Sequence, residues 1–510
     1  MNKIGNRQIN HSRIQSFLKI LNCYINRINK MKTEKLFILY LLTVFLLTIS
    51  CKRESKERNE MKNIVENQFK GEKGEVVLMT LDPGHFHASL VQKVMYPQID
   101  PTVYVFGPEG PDIQDHMNRI KRFNNRDIEP TQWNEIVYTG KNYFDKMLLQ
   151  KPGNLVVISG NNKIKADYIL RSVTSGLNVL ADKPMIIYPE DFPKLEQAFE
   201  VAEEKGVLLY DIMTERHEIT SILQRKLSEI PEIFGQINHG SSENPAITKE
   251  SVHHFFKYVS GKPLKRPPWF FDTSQQGDGL VDVTTHLVDL IQWECYPEEI
   301  IKKDDIEINK STHWPTSLTT EEFQEVTGIG EFPGYLEKDV DDGNLLVEAN
   351  GEIIYRIRDI WAKVKVEWNF KAPEGGGDTH YSIMKGTLSN LIIQQGEKEN
   401  YRPELYVELT GGVDFEEFEK RLKETVNHEI ELEGLQVVKE DVKRWRIEIP
   451  GKYRVGHEAH FGQVTGKFLG YLVDGKLPVW EVPNMITKYY TTTEALKMAR
   501  GKKEEVRSKK

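Results

Sequence analysis

The stretch Leu155-Val-Val-Ile-Ser-Gly-Asn-Asn-Lys-Ile-Lys-Ala-Asp-Tyr-Ile-Leu-Arg-Ser-Val-Thr-Ser-Gly-Leu-Asn-Val-Leu-Ala-Asp-Lys-Pro-Met185 decides the fold. Two short apolar runs, residues 155–159 and 177–181, bracket a segment in which Ile164, Ile169, Leu170 and Val173 recur at helical spacing. A strand, a helix and a second strand of these lengths predict a right-handed βαβ crossover, which pairs its strands in parallel. The same rhythm extends outward. Residues 76–81, 103–106, 136–138 and 207–210 are further strand candidates, and Phe192, Leu195, Phe199 and Ala202 mark another helix. Strands alternating with helices predict a doubly wound, Rossmann-type α/β domain over residues 75–215, its parallel sheet covered on both faces.

Beyond Arg216 the rhythm changes. A helix is expected near residues 219–227, and residues 361–370 alternate apolar with charged positions, the period of a half-exposed strand. Runs at 381–384, 391–394 and 405–409 extend that sheet, and helices at 461–472 and 485–498 close the chain. The expectation for residues 216–500 is a second α/β domain on one open, largely antiparallel sheet. The acidic stretch 302–343 is expected to be a surface insertion, and 501–510 a charged tail.

The start of the chain has a different character. Met31-Lys-Thr-Glu-Lys35 is followed by an apolar run over residues 36–49 and then Ser50-Cys51, which reads as a signal peptide. The run is shorter than the roughly 20 residues a spanning helix needs. Residues 1–50 are therefore expected to be an upstream extension and leader, and residues 51–74 a flexible tether. Leu47-Thr-Ile-Ser-Cys51 resembles a bacterial lipoprotein signal, with Thr48 where leucine is usual. Acylation of Cys51 would hold the protein at a membrane surface. Exported, periplasmic or outer-membrane anchoring is the expected location.

Residues 1–50 carry eight Lys/Arg and one acidic residue, which leaves 60 basic against 75 acidic residues in the body. An acidic body without a basic stripe disfavours nucleic acid as a partner. Of three cysteines only Cys295 lies in the body, so neither an intrachain disulfide nor a cysteine-zinc framework is available there.

Two segments carry chemistry. In Gly277-Asp-Gly-Leu-Val-Asp-Val-Thr-Thr-His-Leu-Val-Asp-Leu290, Asp282, His286 and Asp289 fall on one face of an expected helix. A carboxylate one turn from an imidazole can orient the ring and raise its basicity, although a structural helix pair has the same spacing. Gly277 and Gly279 would leave room for a ligand. The second segment is Ala181-Asp-Lys-Pro184, at the carboxyl end of an expected parallel strand, where open α/β sheets bind ligands. A lysine ammonium there can hold a substrate hydroxyl and stabilise the alkoxide formed on oxidation. The first turn, Met79-Thr-Leu-Asp-Pro-Gly-His-Phe-His-Ala88, offers only Gly84 for the three-glycine dinucleotide fingerprint, with Met79 and Leu81 at the first two positions.

These two segments together resemble the glucose-fructose oxidoreductase/inositol dehydrogenase (Gfo/Idh/MocA) family, which pairs Glu-Lys-Pro after its fifth strand with Asp-x-x-x-His in its second domain. Asp182-Lys183-Pro184 matches the first motif with Asp for Glu, and Asp282 with His286 matches the second. Ser159-Gly-Asn-Asn162 also fits, with Lys165 where a histidine is usual. Among relatives the chain looks most like an exported Bacteroidetes-type branch with an enlarged second domain. The resemblance implies an NAD- or NADP-dependent oxidoreductase acting on a hydroxyl or carbonyl of a sugar, glycoside or polyol. Lys183 and His286 would meet the reacting hydroxyl, with His286 as acid/base and Asp282 as its orienting partner. Gly84, Asn162, Asp182 and Lys183 would lie against the cofactor, and Arg216 and Asp289 would meet the substrate. A homo-oligomer is implied by analogy.

Export of an unfolded chain leaves a free nicotinamide cofactor behind, and the leader lacks twin arginines. A tightly retained, internally recycled cofactor resolves that tension. Two other readings stay open: a cofactor-free carbohydrate-binding lipoprotein using aromatic platforms such as Trp269-Phe-Phe271, and a metal-dependent lyase or hydrolase built on His85-x-His87, His253-His254 or His457 and His460. None of these histidines has the spacing of a zincin, and no metal ligand is assigned.

Overall fold

The computed structural model describes residues 69–259 and 262–508, with positions 19 and 22 upstream. The leader, Cys51 and most of the tether lie outside these residues. Among the described residues, no helix is long and apolar enough to cross a membrane.

Six parallel strands form the first sheet: β1 (Leu78–Leu81), β2 (Thr102–Phe106), β3 (Asn134–Tyr138), β4 (Leu155–Ile158), β5 (Asn178–Asp182) and β6 (Leu209–Ile212). Their order is β3-β2-β1-β4-β5-β6, so the chain reverses direction across the sheet between β1 and β4. β1, β4, β5 and β6 are buried at every position, which is why they read as unbroken apolar runs. The connecting helices are α1 (His87–Leu90), α2 (Pro111–Asn124), α3 (Tyr143–Gln150), α4 (Lys165–Thr174) and α5 (Phe192–Lys205). α1 is a single turn, where a doubly wound sheet ordinarily has a full crossover helix.

The second sheet has ten strands. At its centre β7 (Ile247–Phe256) pairs in parallel with β10 (Ile360–Lys371) and antiparallel with β11 (Thr379–Lys385). Residues 360–368 alternate buried and half-buried, so one face packs on the core while lysines and a glutamate line the other. At one edge β8 (Ile306–Leu318) runs antiparallel to β9 (Asn344–Ile357). Residues 306–318 are thus an integral edge strand and not part of a surface insertion. Their charged, alternating sequence suits a strand with one wet face.

Helix α6 (Ile219–Ser228) and helix α7 (Thr284–Cys295) pack on the core of this sheet, with Leu223, Leu227, Leu287, Val288 and Ile291 in the cluster. The closing helices α8 (His457–Asp474) and α9 (Glu481–Ser508) serve both cores. Phe461, Phe468 and Met485 join the core of the parallel sheet, whereas Ala495 and Leu496 join that of the second sheet.

Candidate functional site: a cavity between two sheets

Lys183 leaves the end of β5, where the parallel sheet opens, and its Nζ lies 2.7 Å from Asp282 Oδ1. The distant Asp-Lys-Pro and Asp-x-x-x-His segments therefore meet. Both side chains are about nine-tenths buried, so the pair is not a screened surface bridge. Gln276 Nε2 holds the other oxygen of Asp282 at 3.1 Å.

Asp282 is not on the helix as the sequence spacing suggests. α7 begins at Thr284, and residues 279–283 form turns anchored on Asp278, whose Oδ1 accepts from Leu280 N and whose carbonyl accepts from Val281 and Asp282 N–H. The carboxylate of Asp282 is spent on Lys183 and Gln276, and no hydrogen bond joins it to His286. Its expected role as the orienting partner of the imidazole passes to positioning of the lysine. Gly279 makes room for protein and not for ligand, since a Cβ there would lie 2.4 Å from the Ala349 carbonyl oxygen in β9.

His286 stands in the first turn of α7 and lines the same cavity as Lys183 and Asp282. Burial, reinforced by the charge of Lys183, pushes its pKa well below the usual histidine range, so the ring is neutral at pH 7. Its Nδ1 is buried without a hydrogen-bond partner in the protein. Asn162 Oδ1 and Gln276 Oε1 are in the same condition. Unmet buried polar atoms are costly, and two of these residues, Gln276 and His286, line the cavity with Lys183, which marks a place where a polar ligand completes the bonding.

The cavity holds about 1340 Å³. Its lining includes Glu215, Lys257, Arg266 and residues Pro373-Glu-Gly-Gly-Gly-Asp378, which form the loop before β11. Sequence reading missed this glycine-rich loop, although its three successive glycines between two strand candidates were a visible signal. Burial pushes Asp378 up, yet hydrogen bonds from His253 and His254 and the charge of Lys257 hold its carboxyl well below the usual range. Burial and the neighbouring Glu218 push Glu215 up to about 7. A cavity-lining carboxyl with that pKa can act as an acid or base near neutrality.

Arg216 and Asp289 are drawn into a different structure. Arg216 donates to Asp289 from Nε and Nη2 at 2.6 and 2.7 Å and to Glu481 Oε2 from Nη1 at 2.9 Å. Lys488 Nζ adds a bond of 2.8 Å to Asp289 and approaches Asp211 at 2.7 Å. This buried network ties β6, α7 and α9 together, and neither Arg216 nor Asp289 lines the cavity. The expected substrate-binding roles give way because every strong donor of the guanidinium already faces a carboxylate. Trp269-Phe-Phe271 is likewise not a free platform: Phe270 and Phe271 are buried in the core and Trp269 Nε1 donates to Asp112.

The expected cofactor residues fall at the crevice outside β1 and β4. Asn162 donates from Nδ2 to the carbonyl of Gln276 at 2.6 Å. Asp182 accepts from Ser159 Oγ at 2.9 Å and meets His87 Nδ1 at 3.0 Å, while buried Lys165 donates to the Asp182 carbonyl. Burial pushes Lys165 down to about 8. The turns after β1 and β4 touch: His85 N–H donates to the Ser159 carbonyl, and a Cβ on Gly160 would lie 1.9 Å from the Asp82 carbonyl oxygen.

A nicotinamide dinucleotide can be tested against these residues. At the reactive end Lys183 and the unmet atoms of Asn162, Gln276 and His286 suit a ribose, carboxamide or carbinol. At the phosphate end the fingerprint is replaced, with Met79 and Leu81 inside β1, a one-turn α1, and the Asp112 carboxyl beside Gly84. The fit is carried by the reactive end.

Comparison with known proteins agrees with this architecture. Residues 223–500 match the family model described as "Putative oxidoreductase C terminal domain". A putative oxidoreductase from Parabacteroides merdae is 55% identical, over 85% of this chain and 100% of that one, with a TM-score of 0.83. Levoglucosan dehydrogenase in complex with NADH and L-sorbose shares the fold at 12% identity and a TM-score of 0.53, over 84% of this chain and 97% of the other. A mutant of KijD10, a 3-ketoreductase from Actinomadura kijaniata, in complex with TDP-benzene and NADP, shares it at 13% identity and a TM-score of 0.51, over 83% and 97% of the two chains. No curated protein matches. A family model spanning more than half of the sequence and a solved structure with 55% identity lead to one assignment: the chain belongs to the family described as "Putative oxidoreductase C terminal domain".

Proposed function

We propose that the protein oxidises or reduces a CH–OH/C=O centre of a sugar, glycoside or polyol, using NAD or NADP. The observation that carries this reading is the convergence of Lys183, from the end of β5, and His286, from the first turn of α7, on one cavity with unmet polar atoms. Structures sharing the fold hold NADH or NADP, and one holds L-sorbose. When bound, the nicotinamide supplies the acceptor for the hydride leaving the carbinol carbon.

The chain's own residues do the rest. Lys183, held by Asp282, donates to the carbinol oxygen and stabilises the alkoxide as it forms. His286 is neutral, which leaves a ring nitrogen open to receive the hydroxyl proton as Lys183 stabilises the alkoxide and to return it in the reverse direction. The volume of the cavity admits a sugar ring or a short chain of hydroxyls, with Glu215, Arg266 and Asp378 as further hydrogen-bonding groups. The leader and Cys51 support export and acylation of the same protein, with the cofactor retained through catalytic cycles. Denaturing natively purified protein and measuring released nucleotide by mass spectrometry tests the proposal. Stoichiometric NAD or NADP is expected, and a sample that releases none and binds none when either is added refutes it.

A further inference from the structure

We propose that His85, His87 and Asp182 form a binding site for a divalent first-row transition metal ion of the zinc type. The site adjoins the Lys183–Asp282–His286 group, since Asp182 precedes Lys183 and both histidines line the same cavity, but metal binding there does not depend on hydride transfer. His85 and His87 follow β1, and Asp182 ends β5, so the fold brings the three together at the carboxyl ends of the parallel strands. Their ligand atoms all lie within 4.8 Å of one another.

The spacing matches an ion's requirements. Asp182 Oδ2 is 3.0 Å from His87 Nδ1 and 3.6 Å from His85 Nδ1. Donors bound at about 2.0–2.1 Å in tetrahedral geometry are separated by roughly 3.3 Å, between those two values. Two imidazoles and one carboxylate are the donor set of zinc sites that keep a position open for water or substrate. Both histidines line the cavity, so the open position would face it.

Ser159 Oγ donates to the same Asp182 Oδ2 at 2.9 Å, and the Asp182 carbonyl accepts from Lys165, so both ends of the residue are held in place. Displacing the proton shared between His87 and Asp182 would let one ion take all three donors.

The test uses the full chain. Protein stripped with a chelator is titrated with Zn²⁺ by calorimetry and with Co²⁺ by visible spectroscopy. One high-affinity equivalent is expected, and Co²⁺ should give the intense absorption of a four- or five-coordinate nitrogen- and oxygen-ligated ion. His87→Ala and Asp182→Asn should each weaken Zn²⁺ by about 100-fold or more, while His253→Ala, on another wall of the cavity, should leave it unchanged. If a variant does not fold, the Co²⁺ spectrum of the unaltered protein decides. Absence of a binding equivalent, an octahedral all-oxygen spectrum, or equal binding by folded His87→Ala and the parent would overturn the proposal. Failure here leaves the nucleotide measurement standing, and the converse also holds.

Discussion

Replacing Asp289 by asparagine should destabilise the protein severely without altering how it meets its substrate. Asp289 accepts three charge-assisted bonds, two from Arg216 at 2.6 and 2.7 Å and one from Lys488 at 2.8 Å. The side chains of Arg216, Asp289 and Lys488 are 5%, 2% and 0% exposed, so water cannot take the place of the lost charge. The amide has nearly the same shape, and the effect is therefore one of charge. Burial works against ionised Asp289, yet Arg216 and Lys488 hold its carboxyl well below the usual range, which shows the carboxylate to be firmly ionised. Stranding one partner of such a pair costs about 3–5 kcal/mol, a large share of the roughly 5–15 kcal/mol that stabilises a folded domain. Guanidinium denaturation followed by fluorescence reads the loss; Trp480, whose ring lies 5.6 Å from the Arg216 guanidinium, reports on the network. A loss below about 1 kcal/mol combined with a raised KM would refute the reasoning and return Asp289 to the substrate.

Other outcomes follow from the same geometry. Gly160→Ala puts a Cβ 1.9 Å from the Asp82 carbonyl oxygen and should cost about 3 kcal/mol in thermal or chemical melts, because backbone must move. His116 is pushed down to about 3 by burial, so the unfolded chain takes up a proton at that position as pH falls below about 6.5 and the folded chain does not. Stability is lost in that direction: His116→Leu should gain about 2 kcal/mol on the parent between pH 7 and pH 5, measured by denaturant midpoints. Glu215 should impose a limb near pH 7 on kcat/KM, absent in Glu215→Gln; an unchanged profile would remove Glu215 from the chemistry.

The parallel sheet was legible because strands buried on both faces must be apolar throughout: residues 155–158 and 179–181 can be little else. Residues 306–318 were not, since a charged edge strand with one wet face carries the composition of a loop. The Lys183–Asp282 meeting was accessible from motif positions, but the detailed bonding was not. Helical spacing put Asp282 beside His286, whereas turns on Asp278 and the pull of Lys183 placed it elsewhere. Arg216 and Asp289 misled for a related reason: sequence shows charges but not their partners, and Glu481 lies 265 residues after Arg216 and Lys488 199 residues after Asp289. The histidines of the first turn were one of three histidine sets behind the metal-dependent reading, and sequence spacing could not show that β5 brings Asp182 to them.

The most direct measurement follows a deuterium label from the carbinol carbon of a sugar or polyol into protein-bound NAD or NADP in a single turnover. The parent should transfer the label, and Lys183→Met and His286→Asn should each slow transfer by about 10²–10⁴-fold while remaining folded. Label that never leaves the carbon, or that moves equally fast in both variants, would contradict the assignment of these two residues to one reacting hydroxyl.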